Sequence, residues 1–233
     1  MIIPEGIRNV TPTDREYPAR LATIKQPPTS LWVRGSGVVP ELFHLASIGS
    51  REVPPEILSH LAVFLEKVCV AYQDTAQTPL VIVSGLALGV DAQSHRVALN
   101  NAHTVGVLPT SINRMDPPAN LSIAQQMLQV RQPGTAIVSE YPPIPDDQKS
   151  IRKPLVRNRI TVGLSQAVLI SGVSREQSGS MSTANHALHE KRHIYILEST
   201  LSANVRKLLM GVYKAQEVSE PQQFVDALMS LQK

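Results

Sequence analysis

At 233 residues, 42% apolar and 18% charged, the chain is long enough to bury a core and too evenly composed for an acidic disordered tail, a coiled coil or a collagen-like repeat. Its 22 Lys and Arg against 19 Asp and Glu leave a formal charge of +3, which permits an anionic partner without demanding one, so any cationic footprint has to be local. The lone Cys69 lies in an apolar helical run, excludes a disulfide framework and reads as a small core residue. The N-terminus MIIPEGIRNV does not resemble a secretory leader, and no stretch approaches the roughly 18 uninterrupted apolar residues of a membrane span, so the chain reads as cytoplasmic.

In chain order, residues 1–42 are rich in proline and charge with little periodicity, and read as an irregular lead-in that drapes over a core domain of residues 43–233. From Phe43 the texture becomes short apolar runs closed by Gly or Ser and followed by helical patterning. The runs are FHLASI (43–48), LVIV (80–83), HTVGVL (103–108), TAIVS (135–139), AVLIS up to Ser171, HIYIL (193–197) and a weaker VYKAQEV (212–218). Candidate helices fall near 54–73, 91–101, 120–131, 157–164, 180–190, 202–210 and 221–232. Strands apolar on both faces and separated by helices predict a doubly wound, mostly parallel α/β sheet, Rossmann-like, with helices on both sides. The stretch 140–153, EYPPIPDDQKSIRK, is too polar and Pro-rich for an element and reads as a functional loop.

In such a sheet, ligands bind outside the carboxyl ends of the strands. Three Gly/Ser turns fall there: Gly49-Ser50-Arg51; the turn from Ser84 and Gly85 to Gly89 and Asp91; and Ser178-Gly179-Ser180 running to Thr183. Glycine lets backbone approach a ligand, serine donates hydrogen bonds, and the following helix N-terminus offers free N–H groups, so together these turns predict a phosphate-binding edge. Arg51 is placed to fork onto a phosphate, or else to pair with a neighbour such as Asp91. Asp91 reads as a helix cap, and His95, with no nucleophile or metal-ligand partner in sequence, is given no catalytic role. Lys149, Arg152, Lys153, Arg157 and Arg159 fall within 11 residues, a density suited to a polyanion, unless Asp146, Asp147 and Glu140 neutralise them. Arg157, Asn158 and Arg159 open a helix, so one arginine can reach a ligand while the other braces the fold.

No G-x-x-x-x-G-K-[ST] loop, no G-x-G-x-x-G fingerprint and no Cys/His cluster occurs, so neither a nucleotide triphosphatase of that type, a dinucleotide enzyme nor a zinc site is indicated, and no cofactor is expected. Three Phe and one Trp are too few for a broad stacking platform, which leaves phosphate contacts as the main source of affinity.

Taken in order, these segments resemble the DNA-processing protein A family (DprA, also called Smf). The resemblance runs through YPARLATIKQPPTSLWVRG (17–35), IGSR (48–51), SGLALGVDAQSH (84–95), DPPAN (116–120), SEYPP (139–143), VRNRITVGLS (156–165) and SGSMSTANHAL (178–188). It implies an extended Rossmann fold and a non-enzymatic, homodimeric protein that binds single-stranded DNA in natural transformation and loads a RecA-type recombinase. It also implies a binding pocket built from Gly49, Ser50, Arg51, Arg157, Asn158, Arg159, Ser178, Gly179, Ser180 and Thr183. Two departures stand out: Pro154-Leu155 where the family usually has Phe-Pro, and Asp116 where it has Tyr. The N-terminal helical and C-terminal winged-helix modules of many members are not expected in this chain. Residues 221–232 read as a closing amphipathic helix with Phe224, Val225, Leu228 and Leu231 available for core or dimer packing. A small phosphorylated nucleotide held by the same turns is the alternative reading.

Overall fold

The computed structural model describes residues 6–232. Its elements are β1 (Ile7–Val10), α1 (Ala19–Ala22), β2 (Leu31–Gly35), β3 (His44–Gly49), α2 (Pro55–Ala76), β4 (Val81–Ser84), α3 (Val90–Asn101), β5 (His103–Val107), α4 (Leu121–Gln129), β6 (Ala136–Ser139), α5 (Pro154–Gly163), β7 (Ala167–Ser171), α6 (Gly179–His189), β8 (His193–Leu197), α7 (Ala203–Gly211), β9 (Gln216–Val218) and α8 (Pro221–Ser230). One nine-stranded sheet runs β1-β2-β6-β5-β4-β3-β7-β8-β9. From β6 to β9 every pairing is parallel, as expected of strands apolar on both faces and joined by helical crossovers.

Alternation along the strands sorts the core. On β7, Ala167 and Leu169 face the layer of α2 and α8, while Val168 and Ile170 face the layer of α6 and α7. Phe64 of α2, Phe224 of α8 and Tyr195 of β8 interlock there, with ring centroids 5.7 and 4.9 Å apart. The apolar face of the closing helix is therefore taken up within the chain: Phe224, Val225 and Leu228 are fully buried. Cys69 is likewise a core residue, and burial pushes its thiol up to about 12.

The lead-in departs from the irregular segment that its prolines suggested. It supplies β1 and β2, which pair antiparallel with each other and, through β2, with β6. Proline signals ended the periodic pattern but fell outside the two short runs IRNV and LWVRG, whose backbone groups are satisfied on the sheet edge. The segment also packs onto the core: Arg20 donates to the Leu164 carbonyl at the end of α5 and to Gln166 Oε1 at 2.7 Å. Among the described residues no helix is long and apolar enough to cross a membrane.

Candidate functional site

At the carboxyl edge of β3, β4 and β7 lies a pocket of about 520 Å3. The strand order places it there: β3 sits between β4 and β7, so the turns after all three strands meet above neighbouring strand ends. Of the residues expected from sequence, Gly49, Ser50, Arg51, Gly85, Arg157, Asn158, Ser178, Gly179, Ser180 and Thr183 line it.

The turn after β4 forms one rigid wall. Asp91, in the first turn of α3, accepts from the Gly85 N–H at 3.0 Å, so it caps the preceding turn rather than its own helix end. Asn120 donates to the carbonyls of Leu86 and Ala87, both at 2.9 Å. His95 accepts from Leu86 N–H, and its other ring nitrogen lies 2.7 Å from Thr104 Oγ1. Burial holds that imidazole neutral, its pKa depressed to about 3, so it is a brace and carries no acid–base chemistry near neutrality. Gly89 has φ +72°, and a Cβ there would stand 2.3 Å from the Ser50 carbonyl oxygen. A glycine is required at this point because the Val90 N–H bonds to that same carbonyl, which locks the turn after β3 against the start of α3.

The two arginines of the Arg157-Asn158-Arg159 triplet end in different places, and both make contacts that hold the fold. Arg157 is buried, with its Nη1 donating to the carbonyls of Gly85, at 2.6 Å, and Val107. Burial lowers its pKa and raises that of Asp91, while the attraction between the two opposes both shifts. Its charge reaches the pocket from beneath. Arg159 turns away, forming a two-pronged ion pair with Glu140 at 2.9 and 2.6 Å and donating to the Gln26 carbonyl. Asn158 donates to Gly179 O at 3.2 Å, tying α5 to the start of α6. Ser178 is the cap of α6 and accepts from Met181 N–H, leaving the N-terminal amide end of this 11-residue helix facing the pocket.

The structure does not bring every expected residue to this place. Ser84 is buried one layer below, donating to the Ser47 carbonyl at 2.6 Å, and Gly89 stands behind the wall. Lys149, Arg152 and Lys153 lie on the exposed 140–153 loop outside the pocket lining, and Arg152 pairs with Asp116. Conversely, the loop after β7 supplies Arg175 and Gln177, both exposed and pocket-lining, which reading the Gly/Ser motifs alone passed over. Their position on the same strand-to-helix junction as Ser178 was the available signal. Among the described residues neither Arg51 nor Arg175 is in an ion pair. Two guanidiniums outside any ion pair, a third beneath them and a helix N-terminus, set against Glu52 and the buried Asp91, give the pocket chemistry suited to an anion.

Fold and site thus define an α/β protein of the doubly wound, Rossmann-like class with an arginine-lined polar pocket at its switch region. The family model for DNA recombination-mediator protein A matches residues 8–228, and the chain belongs to that family. Among curated relatives, DNA processing protein DprA of Bacillus subtilis is 29% identical over 202 residues, covering 84% of this chain and 62% of the relative. Protein Smf of Escherichia coli is 32% identical over 193 residues, covering 81% and 48%. The chain spans roughly half to three fifths of the length of these relatives. Among solved structures, DNA processing protein A of Helicobacter pylori, described for its single-stranded DNA binding mode, superposes with a TM-score of 0.71 at 27% identity, covering 96% of both chains. DprA of Streptococcus pneumoniae gives 0.77 at 27% identity, covering 96% of this chain and 74% of that one. The molybdenum cofactor carrier protein of Chlamydomonas reinhardtii, at 12% identity and a TM-score of 0.54, shares the fold.

Proposed function

We propose that the chain binds single-stranded DNA in this pocket, as a non-enzymatic recombination mediator that acts as a homodimer and delivers the strand to a RecA-type recombinase. The observation that carries the reading is the convergence of Arg51, Arg175 and the N-terminus of α6 around one pocket, with Arg157 beneath. Affinity comes from phosphates: a strand neutralised by these cations releases counterions. Pro154 stands on the pocket lining where the family usually has Phe, so no stacking ring is present, and the neighbouring exposed Leu155 offers aliphatic surface to a base instead. The Helicobacter pylori relative, described for single-stranded DNA binding, supports the choice of ligand. Asp91, Arg157 and His95 are each occupied in holding the fold, which supports binding rather than bond-making as the pocket's work.

The test is fluorescence anisotropy of a labelled oligothymidylate with duplex competitor at several salt concentrations, for the wild type and for Arg51→Ala. Binding that prefers single strands, falls with salt and weakens in the variant is expected. Equal binding of single strand and duplex, or an unchanged Arg51→Ala protein at low salt, would overturn the assignment.

A further inference from the structure

The pocket's inner wall contains more hydrogen-bonding capacity than a passing phosphodiester uses. Among the described residues, four buried side-chain polar atoms have no hydrogen-bond partner, and two of them belong to this corner of the molecule: Thr161 Oγ1 and Ser171 Oγ. Thr161 follows Arg157 by one helical turn on α5, lines the pocket and is 2% exposed. Ser171 ends β7 directly opposite Gly49 in the parallel ladder, behind the pocket's floor. A buried hydroxyl without a partner costs about 1–3 kcal/mol unless something supplies one. A threonine inside a helix commonly turns its hydroxyl back to the carbonyl four residues earlier, as Ser165 does here to Thr161 O at 2.9 Å; Thr161 does not.

Beneath the pocket, the ends of β3 and β7 lie side by side in the sheet. A Cβ on Gly49 would stand 2.1 Å from the Ser171 carbonyl oxygen, so the turn after β3 and the end of β7 are in contact. A strand crossing the mouth presents a diester with one charge and two free oxygens. A group that fills the inner end has to stop there, and a phosphomonoester has a second charge and a third free oxygen to meet Thr161 and the α6 amides. We propose that the pocket is an end site, in which the terminal phosphomonoester of a nucleotide or DNA strand enters past Arg51 and Arg175 and accepts a hydrogen bond from Thr161. This rests on the single-strand reading above and specifies which part of the strand the pocket takes.

The experiment compares, on the intact chain, a 5′-phosphorylated oligothymidylate, the same oligonucleotide with a 5′-hydroxyl, and a covalently closed circle. The phosphorylated end is expected to bind about tenfold more tightly than the other two, the scale of one charge-assisted hydrogen bond plus an added charge. Thr161→Ser should keep that ratio and Thr161→Val should lower it, leaving only the share that the added charge supplies through Arg51 and Arg175, with circular dichroism melts confirming that both variants fold; an unchanged ratio in Thr161→Val would remove Thr161 from the site. Thymidine 5′-monophosphate as competitor separates the two sources of the group: displacement at equal concentration assigns the site to free nucleotides as well, and displacement only at large excess assigns it to strand ends. Equal affinity for all three DNAs overturns the end site and leaves the single-strand reading standing. Binding of none of them overturns both.

Discussion

The pocket and the 140–153 loop are two cationic regions built on opposite logic. In sequence, the loop and the start of α5 are the dense cluster, yet their arginines are largely taken: Arg152 by Asp116, Arg159 by Glu140, and Arg114 ties the loop down through Asp146 at 2.8 Å. The pocket draws its cations from segments more than a hundred residues apart, Arg51 after β3 and Arg175 after β7, and leaves them free of carboxylate partners among the described residues. Local charge density along a chain measures how much charge there is; the fold decides how much remains available for a ligand.

The largest effect that would test this contrast is on stability. Arg157→Ala strips two buried carbonyls of their donor and leaves Asp91 without its nearby positive charge, and should lower the unfolding free energy by about 3 kcal/mol in a urea titration. A loss of DNA affinity without a loss of stability would make Arg157 a direct ligand rather than a support.

Acid should loosen the pocket before the loop. His95 has a folded pKa near 3 against about 6.5 unfolded, so its contribution is complete above pH 6.5 and declines as pH falls through that window, by up to about 1.4 kcal/mol per unit. The loop contains no histidine. Hydrogen exchange at the Leu86 amide, corrected for the intrinsic rate, should therefore accelerate between pH 6.5 and 5 relative to Lys153 N–H, which is held by Pro109 O. Parallel behaviour of the two amides would show that His95 does not brace the turn.

Binding effects come next. Arg51→Ala with Arg175→Ala should reduce single-strand affinity at least about tenfold and flatten the logarithmic salt dependence by about 1.4, two phosphates' worth at roughly 0.7 each. The smallest effect belongs to the loop: Arg152→Ala should change affinity less than about threefold, because its charge is already offset by Asp116. A reversal of these last two magnitudes would move the DNA track from the pocket to the loop.

The parallel part of the fold was legible because each apolar run such as LVIV or HIYIL has one physical solution, a strand covered on both faces. The strands IRNV and LWVRG were not, since four- and five-residue runs among prolines carry too little periodicity and gain their stability from pairing with each other and, through β2, with β6. At the site, the three Gly/Ser turns are brought together around one pocket, a meeting that sequence could anticipate because glycine and helix starts are local requirements. What sequence could not reveal is direction: Arg157 and Arg159 are two residues apart and end in different environments, one beneath the pocket and one against Glu140. Arg175 has no motif of its own and becomes visible only once β7 is known to lie beside β3.

The two ends of the sheet set a limit on how copies of this protein can meet. Strand β1 has four residues and β9 has three, so each margin offers too little open backbone to template another strand. Strand pairing between copies is disfavoured at both margins, which leaves side chains, where single substitutions tune association, as the favoured means of contact.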